Sequence, residues 1–143
     1  MRKVLTATDG SDGALRANDV AARIAKAFQA GLYIVYVSSD YLSPDQFREL
    51  ERLHVTEGDA LDAIAERILN EAKARAQEIG VSEIHVKECV GDPAEELLET
   101  IQKEQVDAIV VGRRGRGRLA RLLLGSVSQK LASLAPCIVT IVP

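Results

Sequence analysis

The sequence has few aromatic residues: no tryptophan, two phenylalanines and three tyrosines among 143 residues. Side chains on which nucleic-acid bases could stack are therefore scarce. The net charge is -3 and the isoelectric point is near 5.4, so a basic surface spread over the whole chain is excluded. Nucleic acid is not an expected partner, and any basic function must be local.

Cysteine and long apolar runs are equally scarce. Cys89 and Cys137 are widely separated and form no CxxC pattern, which argues against a disulfide framework or a zinc site and predicts two reduced core cysteines. The amino-terminal stretch MRKVLTATDG lacks an apolar segment of signal-peptide length, and no run of about 18 apolar residues occurs. We therefore expect a cytoplasmic protein without a membrane partner.

What the chain does have is the composition of one ordinary globular domain. Apolar residues make up 47% and charged residues 27% of the sequence. A chain of this length can bury a stable core without disulfides or metal ions. The predicted organisation is a single domain over residues 1–143.

Short β-branched segments alternate with segments of helical periodicity. The predicted strands cover residues 4–7, 32–37, 84–90, 108–111 and 138–142, and apolar residues recur at helical spacing over 14–28, 61–72, 94–101 and 126–134. This alternation predicts a doubly wound α/β domain with a five-stranded parallel sheet of order 3-2-1-4-5 and helices on both faces.

Several residues are typical of helix ends. Asp92 and Thr56 are predicted to cap helix starts, and Gly31 and Gly80 to terminate the first two helices. Residues 38–55 form one long connection with a short possible helix over 47–53. The connection is either a flap over a ligand or a variable surface insertion.

Ligands of open α/β sheets bind beyond the carboxyl ends of the strands, where the strand order reverses. Two segments fall there: Thr8-Asp9-Gly10-Ser11 after the first strand, and GRRGRGRLARLLLGS (112–126) after the fourth. The glycines of the second segment allow backbone N–H groups to approach a phosphate. Gly125-Ser126-Val127-Ser128 opens a helix whose N-terminus favours anions.

Two structural alternatives compete with this interpretation. Ser126 with Gln129 could be a capping box of the last helix, and Asp9 could cap the first helix. Neither cap explains the glycines at 112, 115 and 117, which a bound phosphate would. The order G-x-x-G-x-G matches neither a Walker loop nor the dinucleotide fingerprint.

The sequence resembles the universal stress protein family, and within it the ATP-binding branch. The family pattern G-x-x-G, nine residues, G-S/T is met by Gly112, Gly115, Gly125 and Ser126, and further landmarks are VLTATDGSDGA, YIVYVSSD, VGDPAEEL and PCIVTIVP. The resemblance implies that Asp9 holds ribose hydroxyls and that the Val37 backbone meets the adenine edge. It also implies a set of residues around the ribose and phosphates: Gly112, Gly115, Gly125, Ser126, Val127 and Ser128.

Thr8 and Gly10, which flank Asp9, and Arg113 complete the candidate ATP-binding residues. Many relatives carry Ser or Thr and His where this chain has Arg113-Arg114. One or two of the arginines at 113, 114, 116, 118 and 121 could bind phosphates and the rest be solvated, or they could dock an acidic protein partner. Mg²⁺ could arrive with the nucleotide, held mainly by its phosphates and water.

The residues that phosphoryl transfer requires are missing from the pattern. Asp107 begins the fourth strand at the wrong end of the sheet, and neither His54 nor His85 is paired with a carboxylate at a catalytic spacing. We therefore expect a regulatory ATP-binding protein with little or no turnover. The alternatives are a slow ATPase or adenylyl-transfer enzyme, and a nucleotide-free interaction module.

The last strand, from Cys137 to Val142, is strongly apolar. It would leave an exposed sheet edge, which proteins avoid. Pairing with a second copy, similar to the usual dimer of the family, or a cover by the last helix would remove that edge.

Overall fold

The computed structural model describes residues 1–38, 44–54, 56–113 and 124–143. In these ranges strands and helices alternate in the order β1 (Lys3–Ala7), α1 (Asp12–Phe28), β2 (Gly31–Ser38), α2 (Pro44–Leu53), α3 (Glu57–Ile79), β3 (Ile84–Val90), α4 (Pro93–Glu104), β4 (Ala108–Gly112), α5 (Ser126–Leu134) and β5 (Ile138–Val142).

The strands form one sheet of order β3-β2-β1-β4-β5, in which every neighbouring pair is parallel. The predicted fold class and strand order are confirmed. Leu5 of β1 lies between Tyr33 of β2 and Ile109 of β4, which fixes the centre of the sheet. The strand order reverses between β1 and β4, so the expected ligand crevice lies at their carboxyl ends.

Each face of the sheet is covered by a pair of helices. One core cluster joins α1 and α3 to Val4, Ile34 and Val110 of the sheet, and the other joins α4 and α5 to Leu5 and Ile109. The face of α1 that packs on the sheet is made almost wholly of alanine: Ala14, Ala17, Ala21, Ala22 and Ala25 are buried. Small side chains let a helix approach its neighbour closely, so the first turn of α1 lies against the sheet.

Three of the four predicted helix ends are confirmed. Thr56 accepts a hydrogen bond from the Asp59 amide at 3.3 Å and Asp92 accepts one from the Glu95 amide at 3.0 Å. Gly80 ends α3 with a φ of 102°, in the left-handed region that glycine adopts without strain.

The prediction that Gly31 terminates the first helix is wrong. Gln29 takes the left-handed conformation, with a φ of 53°, and its amide bonds back to the carbonyls of Ala25 and Lys26. Gly31 is the first residue of β2 and pairs with Lys3. The helix therefore ends two residues earlier than the glycine suggested.

The connection after β2 contains α2, which is longer than the helix predicted over 47–53. Residues 39–43 and 55 of that connection lie outside the described residues, and its role as a flap stays a prediction. Cys89 is buried as expected, whereas Cys137 is only half-buried; both are free thiols. Among the described residues, none of the helices combines the length and apolarity that crossing a bilayer requires.

Candidate functional site

The turn after β1 is held by its own polar side chains. The Thr8 amide donates to the Val35 carbonyl of β2 at 2.9 Å, and the Gly10 amide lies 3.3 Å from the Thr8 hydroxyl. One Asp9 carboxylate oxygen accepts the Ser11 amide at 2.9 Å, and Gly10 has a φ of 79°. Thr8 is buried and Asp9 is half-buried, so this turn places a carboxylate at the switch point.

Asp9 does not cap the first helix, so this structural alternative is wrong. The N-cap of α1 is Ser11, whose hydroxyl accepts the Ala14 amide at 3.2 Å. Asp9 lies two residues before that cap and only orders the turn that leads to it. One oxygen of its carboxylate therefore accepts the Ser11 amide within the turn.

The end of β4 lies directly against the first turn of α1. A Cβ atom built on Gly112 would be 3.1 Å from both the carbonyl carbon and the carbonyl oxygen of Gly13. Such a distance is shorter than ordinary van der Waals contact, and the opposing atoms are backbone. Gly112 thus permits the close approach that brings the turn after β1 and the glycine-rich segment together.

The segment that follows β4 is anchored at both ends by main-chain hydrogen bonds. The Arg113 amide donates to the Val142 carbonyl of β5 at 2.8 Å, and the Gly125 amide donates to the Arg113 carbonyl at 2.8 Å. The Ser128 hydroxyl lies 2.9 Å from the Arg113 carbonyl and 3.1 Å from the Gly125 carbonyl. We call this set the glycine cradle: Gly112, Arg113, Gly125, Ser126, Val127 and Ser128.

Ser126 is not the N-cap of the last helix, so the structural alternative of a capping box with Gln129 is wrong. The N-cap is Gly125, which has no side chain to contribute, and Ser126 is the exposed first residue of α5. The Gln129 amide bonds to the Gly125 carbonyl at 3.0 Å. The first amides of α5 therefore depend on water or a ligand for acceptors, as far as the described residues show.

The N-termini of α1 and α5, the helices that follow the two strands of the switch point, differ in charge and capping. The first turn of α1 has a serine cap and carries Asp12, three residues after Asp9. The first turn of α5 has a glycine cap and carries no acidic residue. Because a helix N-terminus favours an anion, the α5 end can accept a phosphate while the α1 end already carries negative charge.

Val37 lies at the carboxyl end of β2, beside the turn after β1. The Val35 carbonyl faces β1, where it accepts the Thr8 amide. In a parallel strand the backbone groups of alternate residues face the same side, so the amide and carbonyl of Val37 also face the β1 side. They lie past the last paired residue of β1, which is Ala7.

Of the predicted arginine cluster, only Arg113 lies within the described residues. Gly115, Gly117 and the arginines at 114, 116, 118 and 121 lie outside the described residues. The described part thus brings together ten of the eleven candidate binding residues at one edge of the sheet: Thr8, Asp9, Gly10, Val37, Gly112, Arg113, Gly125, Ser126, Val127 and Ser128.

Asp107 and His85, the candidate catalytic groups of the sequence, lie toward the amino ends of the strands, away from the candidate site. Asp107 accepts the amides of Arg2 and Lys3 at 2.6 and 2.9 Å, and these two hydrogen bonds lower the pKa of its carboxyl group. His85 is exposed, stacks on Tyr33 with the ring centres 4.6 Å apart, and contacts Glu83 at 2.8 Å. Asp107 was expected at the wrong end of the sheet, and it lies there. The prediction that His85 has no paired carboxylate is wrong, because Glu83, two residues before it on the exposed surface, contacts its ring.

Two residues that shape the site were not among the predicted site residues. Gly13 provides the backbone against which Gly112 packs, and Ser11 caps the helix that carries it. The sequence does hold a signal for both, because the stretch DGSDGA places a serine and a second glycine directly after Asp9. Only the packing of α1 on β4 shows that Gly13 is the glycine that contacts Gly112.

Together, the parallel sheet and the glycine cradle at its switch point define an open, doubly wound α/β domain with a candidate anion site. The universal stress protein family model matches residues 1–143. A universal stress protein of Methanocaldococcus jannaschii is 36% identical over 99% of this chain and 81% of its own length. The protein YxiE of Bacillus subtilis is 35% identical over 98% of this chain and 97% of its own length.

The solved structures agree. A universal stress protein crystallised in complex with cAMP superimposes with a TM-score of 0.76 at 33% identity, covering 99% of this chain and 95% of that one. UspA from Lactobacillus plantarum superimposes with a TM-score of 0.78 at 26% identity, covering 99% and 97%. This chain belongs to the universal stress protein family, a family of stress-response proteins.

Proposed function

We propose that this protein binds an adenine nucleotide, ATP in the first place, at the glycine cradle and acts as a nucleotide-dependent regulatory switch with little or no turnover. The observation that carries the proposal is the uncapped, non-acidic start of α5, joined through Gly112 to the turn that presents Asp9. A helix start of this kind accepts phosphate oxygens, and a nearby carboxylate accepts hydroxyl hydrogens.

Each part of the nucleotide would meet a different part of the site. The phosphates would lie on the amides of Ser126 and Val127, and the ribose hydroxyls would donate to the Asp9 carboxylate. The backbone of Val37 would hydrogen-bond the adenine edge. The negative charge at Asp9 and Asp12 favours this orientation over its reverse, because like charges repel.

The comparison structure with cAMP supports an adenine nucleotide as the ligand class. Its relation to this chain exceeds a shared fold, since a third of the aligned residues are identical. Backbone amides at the cradle and an aspartate after β1 suit the phosphate and the ribose that all adenine nucleotides share.

Mg²⁺ would bind together with the nucleotide, coordinated mainly by the phosphates and by water. Among the described residues no group of three or more His, Cys, Asp or Glu side chains could hold a metal ion. Mg²⁺ retains several waters and is commonly bound through substrate phosphates, so a metal brought by ATP would need few or no ligands from the protein.

The proposal is tested by titration calorimetry with ATP, AMP, cAMP and GTP, each with and without Mg²⁺. We expect saturable binding of adenine nucleotides and weaker or no binding of GTP. Release of phosphate or pyrophosphate from ATP, compared with an Asp9→Ala blank, tests the enzymatic alternative. The proposal is overturned if none of the adenine nucleotides binds.

We also propose that two copies of the chain associate through β5. This strand lies at one end of the sheet order, with Ile138 59% exposed, and the adjacent end of α5 exposes Leu134 to the same degree, 59%. An apolar edge strand favours pairing with another strand, and a second copy from Cys137 to Val142 offers one. Light scattering after gel filtration should give twice the mass of the chain, and Ile138→Asp should halve it.

A further inference from the structure

We propose that Ser128 is a positioning residue, whose hydroxyl holds the two ends of the glycine cradle in place before any nucleotide binds. This inference rests on the proposed function, because it says how the cradle of that same site is kept in shape. It differs from the role that the family resemblance implies, in which Ser128 is one of the residues around the ribose and phosphates.

The surroundings of the Ser128 side chain support this role. Ser128 is 2% exposed, although it is only the third residue of a helix whose first residue is exposed. Its Oγ lies 2.9 Å from the Arg113 carbonyl and 3.1 Å from the Gly125 carbonyl. Both partners are carbonyl acceptors, so the single hydroxyl proton is shared between them or donated to the nearer one, that of Arg113.

These two carbonyls belong to the two ends of the cradle. Arg113 follows β4 directly, and Gly125 is the N-cap of α5. The Arg113 carbonyl also accepts the Gly125 amide at 2.8 Å. The Ser128 hydroxyl thus reinforces the main-chain hydrogen bond that joins the two described ends of the segment between β4 and α5.

The link decides which amides remain for a ligand. Because the Gly125 amide is committed to Arg113, the donors left at this helix start are the amides of Ser126, Val127 and Ser128, which precede the first helical hydrogen bond, from Gln129 to Gly125. Their direction depends on the position of Gly125. A hydroxyl that fixes Gly125 therefore orients the phosphate donors without contacting the phosphate.

Hydrogen exchange of the nucleotide-free protein tests this role, with Ser128→Ala as the variant. The control is Ser133→Ala, because the Ser133 hydroxyl also donates to a carbonyl of α5, that of Gln129 at 3.1 Å, but lies exposed at the far end of the helix. We expect the Gly125 amide to exchange about fivefold faster in Ser128→Ala and at the wild-type rate in Ser133→Ala. The Ala135 amide, which bonds to the Leu131 carbonyl, should be unchanged in both.

Equal acceleration at Gly125 and Ala135 would mean that the whole helix had loosened, and it would overturn the positioning role. An unchanged Gly125 amide combined with about fivefold weaker ATP binding would overturn it too, in favour of a direct phosphate contact. If the wild-type protein binds no nucleotide, the proposed function fails, while the exchange rates still report whether Ser128 holds the cradle.

Discussion

Gly112 packs against the backbone of Gly13, with 3.1 Å between the position of a Cβ on Gly112 and the carbonyl atoms of Gly13. This contact joins the two segments that the sequence placed at the switch point. The contact is possible because the side chains on the buried face of α1 are mostly alanine, so the start of the helix can lie close to the sheet. The site is therefore sensitive to single atoms added at Gly112.

Gly112→Ala should lower the free energy of unfolding by about 1 to 3 kcal/mol, because the added methyl group forces the first turn of α1 away from β4. The measurement is urea denaturation. Gly58→Ala is the matched control, since a Cβ on Gly58 meets nothing within 4 Å and lies in a helix, where alanine is favoured by up to about 1 kcal/mol. Equal stability of the Gly112→Ala variant and the wild type would contradict the packing argument.

Asp9→Ala should weaken ATP binding about tenfold or more, because hydrogen bonds to a charged group are worth about 1.5 to 3 kcal/mol. Asp92→Ala is a suitable control: the carboxylate of Asp92 also accepts a backbone amide, that of Glu95, but at the start of α4. We expect it to lose about 1 kcal/mol of stability and no affinity. The ATP affinity of both variants is measured by calorimetry. Equal affinity of Asp9→Ala and the wild type would show that Asp9 does not contact the nucleotide.

Asp107 should make the stability depend on pH. Hydrogen bonds from the Arg2 and Lys3 amides lower the pKa of the carboxyl group in the folded protein. Its contribution is therefore present above the unfolded value of about 4 and is lost as the pH falls through the folded value. Asp107→Asn should lower the urea midpoint at pH 7, and the difference from wild type should shrink in acid. A difference that persists unchanged at the lowest pH would contradict this account.

Cys137 should be a slow nucleophile. Burial is the largest effect on its thiol and raises the pKa, so little thiolate exists at neutral pH. Alkylation by iodoacetamide at pH 8, followed by peptide mass spectrometry, should be slower at Cys137 in the folded protein than in the urea-unfolded chain. A folded-state rate equal to the unfolded rate would show that the thiol is neither desolvated nor protected.

The sequence predicts the fold well because its signals are local and repeated. Alternating apolar periods specify strands and helices, and the crossover rule then leaves few topologies. The caps at Thr56, Asp92 and Gly80 are equally local, and all three are present. Gly31 misleads because the helix end at Gln29 is set by hydrogen bonds to Ala25 and Lys26 rather than by the nearest glycine.

The candidate site is less predictable because its contacts are long-range. The cap of α5 turned out to be Gly125 rather than Ser126, and the buried Ser128 bonds to a residue 15 positions earlier. Neither fact follows from spacing, since both depend on how the start of α5 meets the residue that follows β4. The glycine spacing points to the right place but does not determine which groups face the ligand.

The most direct test of the nucleotide site is ATP binding measured by calorimetry for wild type, Gly112→Val and Gly58→Ala side by side. We expect the wild type and Gly58→Ala to bind ATP with the same affinity, and Gly112→Val, folded as judged by circular dichroism, to lose binding. Undiminished ATP binding by Gly112→Val, or no binding by the wild type, would contradict a nucleotide cradle at this edge of the sheet.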